Sequence, residues 1–244
     1  MNNDRLEILN KQINLYMQKH SDKPYFQEYL RTKLFGYTKI ENSFSGENVL
    51  ELGSDGAATS SFLVRWSKKL TIVDMHDKFN ILVDEDNELS RATFVKSAWE
   101  DYETTNLYSD ILLTDSLEHV KDPVFLLQKI KSWLKDDGIL HIIVPNALSF
   151  HRLIGVEMGL LKTPYSFNEN DIAAEHLRVY DFNSLRKDIE DAGLKVKEID
   201  GIQLKTLTDT QLSKMTIEYK NAMNSLSNTC KEHCAEIYAQ CTIK

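Results

Sequence analysis

Two carboxylates, a glycine turn and two histidines are the residues of this chain whose types and spacing could do chemistry. Glu51-Leu52-Gly53-Ser54-Asp55-Gly56 closes one apolar run with an acid and a turn, and Asp74 closes a second, Leu70-Thr71-Ile72-Val73. If these runs are neighbouring strands of an open parallel sheet, the turn and both acids stand near the carboxyl ends, in the crevice where ligands bind. Glycine lets backbone approach a ligand closely. The Asp74 carboxylate can accept hydrogen bonds from ribose hydroxyls, or merely cap the next helix. The chemistry indicated is binding of a nucleoside cofactor. His119, in Leu117-Glu118-His119-Val120, and His176, in His176-Leu177-Arg178-Val179-Tyr180, can each take a proton near neutrality. Each is a candidate general base, and each could equally be a structural histidine.

The elements that must position these residues alternate along the chain. Apolar strands are predicted at 48–52, 70–74, 92–95, 110–114, 139–144 and about 195–199, with helices at 57–68 and 123–134 between them. That alternation predicts a parallel sheet with right-handed crossovers. Asp136-Asp137-Gly138 reads as a turn before the fifth strand, and Pro145-Asn146 ends it. Asn183 reads as the cap of a helix that runs to Ala192 and stops at Gly193. At the N-terminus, Leu6, Leu9, Ile13 and Tyr16 share one helix face. Pro24 opens a second helix carrying Tyr25, Phe26, Tyr29, Leu30 and Leu34, with Gly36 as its stop. Residues 1–40 are therefore expected as a helical lid on a domain spanning 41–244. Residues 147–181 break the rhythm and are expected on the acceptor side, since long excursions are often lids. Near the C-terminus, Leu212, Met215, Tyr219, Met223 and Leu226 suggest a helix. Strict alternation over 235–243 then predicts a terminal strand with one polar face.

At 244 residues the chain fits one decorated domain. A net charge of −8 and no basic stripe argue against coating a nucleic-acid backbone. No apolar run approaches a membrane span and no apolar signal core opens the chain, so a cytoplasmic protein is expected. Cys230, Cys234 and Cys241 make no disulfide framework. With His233 they invite a zinc reading, but no C-x-x-C pair exists and the terminal strand draws Cys241 away, so no metal is expected.

Four motifs stand in order: the turn at 51–56, Asp74, Ser97-Ala98-Trp99-Glu100-Asp101, and Thr114-Asp115-Ser116-Leu117-Glu118-His119-Val120 followed by Ile142-Ile143-Val144-Pro145-Asn146. This order resembles the class I S-adenosylmethionine-dependent methyltransferases, in the branch holding quinone-biosynthesis and sugar or natural-product enzymes. The resemblance covers about 48–200 and includes the His176 segment. It implies an α/β fold, a doubly wound, mostly parallel seven-stranded sheet with its last strand antiparallel. It also implies a cofactor site. Glu51 would lie beneath the cofactor, with Gly53, Ser54, Asp55 and Gly56 at its methionine part. Asp74 would stand at the ribose, with Met75 also among the cofactor-binding residues, Ala98 and Trp99 at the adenine, and the backbone of Thr114, Asp115 and Ser116 at the amino-acid end. The implied function is methyl transfer to an O or N atom of a small molecule, a sugar or surface-polysaccharide precursor among the options, by a monomer or homodimer. S-adenosylhomocysteine is the product, and His119 and His176 are the catalytic candidates. Where the family carries three alternating glycines, this chain has Gly53-Ser54-Asp55-Gly56-Ala57. The cofactor holds no pyrophosphate and is cationic at sulfur and amine, so an acidic turn is tolerable. The same departure speaks against a nicotinamide dinucleotide. The alternative is a cofactor-binding protein of the same fold without catalysis.

Overall fold

A computed structural model describes residues 3–54, 58–76, 83–84 and 86–243. Asp55, Gly56 and Ala57 of the first turn lie outside the described residues. The strands are β1 (Val49–Leu52), β2 (Leu70–Asp74), β3 (Thr93–Lys96), β4 (Tyr108–Thr114), β5 (Leu134–Pro145), β6 (Leu194–Ile202) and β7 (Glu236–Ile243). They form one sheet in the order β3-β2-β1-β4-β5-β7-β6. β1 to β5 pair in parallel, and β7 lies antiparallel between β5 and β6. The doubly wound, mostly parallel sheet with a reversed last strand is as expected. The strand order turns back between β1 and β4, which makes their carboxyl ends a binding crevice.

The α-helices among the described residues include α1 (Asn3–Lys19), α2 (Pro24–Glu41), α3 (Ser60–Trp66), α4 (Pro123–Trp133), α5 (Phe150–Glu157), α6 (Glu169–Ala173), α7 (Phe182–Asp191), α8 (Asp209–Leu212) and α9 (Ile217–Ser225). Successive strand residues point to opposite faces, so a sheet covered on both sides needs continuous apolar runs. Leu50, Leu52, Ile111, Leu113, Ile142 and Val144 meet α4 and α7 on one face. Val49, Ile72, Leu112 and Ile143 meet α1, α2 and α3 on the other. Leu9, Ile13, Leu30, Tyr37 and Ile40 of the first two helices are buried in that second core.

Several boundaries differ from expectation, each for a local reason. Gly36 does not stop α2, which runs on to Glu41. A Cβ at Gly36 would stand 2.9 Å from Ile143 Cδ1 and 3.2 Å from Ile202 Cδ1, so this glycine serves close helix–sheet approach. The cap of α7 is Asp181, two residues before Asn183, because Asp181 and Ser184 exchange side-chain-to-backbone hydrogen bonds in a capping box. The helix expected over 57–68 is described only for Ser60–Trp66. β5 begins at Leu134, and its pairing with β4 breaks between Leu134 and Ile139, where the Asp136-Asp137-Gly138 turn was expected. The C-terminal helix is two short ones, α8 and α9. β7 is an inner strand; on its predicted polar face Glu236, Gln240 and Thr242 are half-buried and Tyr238 is buried. Cys241 is buried in β7, apart from Cys234, whose thiol faces the carbonyls of Ser227 and Cys230. Among the described residues no helix is long and apolar enough to cross a membrane.

Candidate active site

The turn after β1 is built on Gly53. Its φ is 95°, and a Cβ there would stand 3.0 Å from Ser116 Oγ and 3.2 Å from Trp99 Cζ2. Glycine alone takes this conformation without strain, and the missing side chain brings backbone to a cavity edge. Asp74 ties that turn to the end of β2. Its Oδ2 accepts the Ser54 N–H at 2.9 Å and the Ser54 hydroxyl at 2.7 Å, and its Oδ1 accepts the His76 N–H at 2.8 Å. Beneath the turn, buried Glu51 accepts the hydroxyls of Thr59 at 2.8 Å and Ser60 at 2.5 Å. Glu51 thereby holds the entry of α3 against β1.

These loops surround a cavity of 840 Å³. Of the residues singled out from sequence, Gly53, Ser54, Asp74, Met75, Ala98, Trp99, Thr114, Asp115, Ser116 and His119 line it. Glu51 sits below the wall, His176 stands behind His119, and Asp55 and Gly56 lie outside the described residues. The Trp99 indole N–H donates to the Val73 carbonyl at 3.1 Å, which fixes the ring against Gly53. The wall also includes Glu100 and Asp101 of the Ser97–Asp101 motif, and His76, Lys121, Asp122, Ala174, Glu175 and Leu177.

The His119 and His176 rings meet edge to face, with centroids 4.8 Å apart. His176 Nδ1 lies 3.1 Å from Asp171 Oδ1, and its Nε2 faces Glu118 Oε1 at 4.0 Å. Asp171 also accepts Arg152 Nη1 at 2.9 Å and the Asn168 N–H at 2.8 Å. Burial raises the pKa of Asp171, but the bonds from His176, Asn168 and Arg152 outweigh it and hold the carboxyl at about 2. Glu118 is fully buried, and neither carboxylate oxygen meets a hydrogen-bond partner beyond its own backbone N–H. Burial pushes Glu118 up to about 7, against the pull of His176 and Lys33. His119 is held below the ordinary histidine value, first by burial and then by the neighbouring His176. An unprotonated imidazole on the cavity wall, backed by a buried carboxyl, is an arrangement that can receive a proton.

The excursion of 147–181 is pinned onto this cluster. It leaves and returns at one point, where Asn146 bridges Tyr180 and the Ala147 N–H donates to Tyr180 O at 2.7 Å. Buried Arg152 gathers it inside, donating to the carbonyls of Pro164 and Ser166 as well as to Asp171. The Leu177 N–H donates to Glu118 O at 2.9 Å. The Arg178 guanidinium donates to the carbonyls of Leu117, Val120 and Lys121. Ala174, Glu175 and Leu177 thus become cavity wall.

No residue of α1 or α2 lines the cavity, yet α2 reaches its floor. Lys33 is buried and ion-paired with Asp115, whose φ of 47° is unusual for a residue with a side chain. The Tyr37 hydroxyl lies 3.1 Å from Thr114 Oγ1. Sequence reasoning missed Lys33, although a lysine within the apolar stripe of Leu30, Tyr37 and Ile40 was a visible signal.

A family model described as a methyltransferase domain matches residues 17–199. A curated relative, (S)-coclaurine N-methyltransferase of Papaver somniferum, is 30% identical over 114 residues. The match covers 43% of this chain and 32% of that relative, so the chain spans about a third of its length. Among solved structures, the N-methyltransferase NodS of Bradyrhizobium japonicum with S-adenosyl-L-homocysteine is 13% identical, with a TM-score of 0.56 over 97% of both chains. An S-adenosylmethionine-dependent methyltransferase of Mesorhizobium loti is 7% identical, with a TM-score of 0.60 over 84% of this chain and 96% of that one. At these identities the solved structures show a shared fold.

Proposed function

The chain belongs to the methyltransferase-domain family, and on that premise we propose that it transfers a methyl group from S-adenosylmethionine to an O or N atom of a small molecule. The observation that carries this reading is the cavity edge where Gly53, Ser54, Asp74 and Trp99 converge from the ends of three neighbouring strands. The cradle suits the cofactor: there is close backbone at Gly53, a carboxylate at the ribose position and an indole wall for the adenine. When bound, S-adenosylmethionine supplies an electrophilic methyl carbon on a cationic sulfur. Asp74 binds the ribose diol, Ala98 and Trp99 border the base, and Thr114 to Ser116 face the amino-acid end. His119 stands on the wall to take a proton from the acceptor, and His176 orients it from behind. The 147–181 excursion and the Lys33–Asp115 contact from α2 form the acceptor side, where a closed site favours alignment over random encounter. Sugars and surface-polysaccharide precursors fall within the acceptor class.

Calorimetry with S-adenosylhomocysteine and with NAD tests the cofactor, and release of S-adenosylhomocysteine tests the transfer. The sulfur cofactor is expected to bind and NAD is not. Binding of NAD alone overturns the reading, while cofactor binding with no transfer to any acceptor leaves a non-catalytic binder.

Asp74→Ala removes charge-assisted hydrogen bonds of about 1.5–3 kcal/mol. S-adenosylhomocysteine affinity should fall roughly ten- to a hundredfold. Because Asp74 also holds Ser54 and His76, a modest drop in melting temperature should accompany the loss. A folded variant with full affinity shows that the carboxylate only ties the two turns.

A further inference from the structure

We propose that the methyl acceptor is an amine that enters the cavity as its ammonium form and gives up a proton to His119 before attack. The proposal rests on the methyl-transfer reading and names the substrate class for it.

The first observation is charge. Among the described residues, Asp74, Glu100, Asp101, Asp115, Asp122 and Glu175 line the cavity against one lysine, Lys121. Lys33 offsets Asp115 from behind. S-adenosylmethionine carries a sulfonium, an ammonium and a carboxylate, a net single positive charge, so the loaded cavity stays negative. A cleft of one sign concentrates the opposite charge and repels its own. Acceptors bearing phosphate or carboxylate are disfavoured, and an ammonium is drawn in.

The second observation is independent of the wall. Glu118 is wholly buried, and its carboxylate meets no hydrogen-bond partner beyond its own backbone N–H. It stands with His119 and His176 so that one ligand atom from each lies within 4.8 Å of the others. Burying such a group is costly, and a proton arriving through His119 lowers that cost. The charged groups facing Glu118 are His176 from the excursion, Lys33 from α2 and Glu236 from β7, while His176 and Glu175 face His119. Burial keeps His119 unprotonated and ready. An ammonium must lose a proton before its nitrogen has a pair to donate. An alcohol holds its proton far too tightly for a neutral imidazole to remove it beforehand.

The step balances. The ammonium R–NH3+ passes H+ to His119 and becomes R–NH2. Its nitrogen pair forms the N–C bond to the methyl carbon as the C–S pair leaves with sulfur. The products are R–NH2+–CH3 and a neutral thioether.

The full chain saturated with S-adenosylhomocysteine is titrated with phenethylammonium, 2-phenylethanol and 3-phenylpropanoate, probes matched in shape and differing in charge. The ammonium is expected to bind roughly tenfold more tightly than the alcohol, to weaken with added salt, and the carboxylate to bind least. In Asp122→Asn/Glu175→Gln the preference should shrink while S-adenosylhomocysteine affinity holds; asparagine keeps the α4 cap that Asp122 makes with the Phe125 N–H. Equal binding of the three probes, a preference for the alcohol or carboxylate, or no binding of the ammonium overturns the proposal. Failure of S-adenosylhomocysteine itself to bind is a different result, and it overturns the methyl-transfer reading instead.

Discussion

Replacing His119 with alanine is expected to lower turnover by on the order of a hundredfold or more while S-adenosylhomocysteine affinity stays near that of the parent. His119 is the one histidine of the 119/176 pair that lines the cavity, and its ring is backed by His176 and buried Glu118. The working form is the neutral ring. Its pKa lies below the ordinary 6.5 because burial and the adjacent His176 disfavour the cation. Turnover of the parent should therefore rise with pH through a value under 6.5, stay high at neutrality, and fall as acid protonates the ring. In His119→Gln that acid limb should vanish along with most of the rate. His176→Gln and Asp171→Asn should shift the limb and lower the rate less, because His176 backs the His119 ring, Asp171 holds His176, and neither lines the cavity. Normal turnover in folded His119→Ala shows that alignment alone suffices or that another group takes the proton.

The cavity edge at the ends of β1, β2 and β3 was legible in the sequence because its signals are local. A strand end, a glycine turn and an acid lie within a few residues of one another, and strand order converts those local signals into one crevice. Ten of the predicted residues meet in one cavity for that reason. The wall built by the 147–181 excursion was much less legible. Arg152 and Asp171 are joined only when α5 and α6 fold back on each other, and Arg178 finds the 117–121 turn across the sheet edge. No periodicity encodes such contacts. His176 was placed near the chemistry by motif order, but that order could not say that it stands behind His119 instead of beside it. Gly36 misled for a related reason. A glycine that ends a helix and one that admits a neighbouring strand look alike until the neighbour is known.

The Lys33–Asp115 pair is the largest stability effect we expect from a single polar contact. Lys33 is 1% exposed and Asp115 is 22% exposed, so the two halves of the pair are not equivalent. Asp115→Asn leaves an ammonium deep in the protein with its nearest compensation reduced to Glu236, at 4.0 Å, and the face of Tyr29. Breaking a buried pair from one side costs about 3–5 kcal/mol. Lys33→Met removes the buried cation, fills its volume with apolar atoms, and leaves an anion that water reaches. Its cost should be smaller, and the double variant should recover much of the loss seen in Asp115→Asn. Denaturant unfolding of the four proteins gives the coupling directly. The same set decides what the N-terminal helices do. Deleting 1–36 removes Leu9, Ile13 and Leu30 from a core and is expected to unfold the chain, so it cannot separate a lid from a wall. Lys33→Met leaves both helices in place and cuts their charged link to the cavity. If α2 acts on the site through Asp115, the variant should stay folded and lose turnover more than S-adenosylhomocysteine affinity. Unchanged turnover, or a pair worth less than about 1 kcal/mol, would place Lys33 with surface ion pairs in energetic terms and leave α1 and α2 as packing alone.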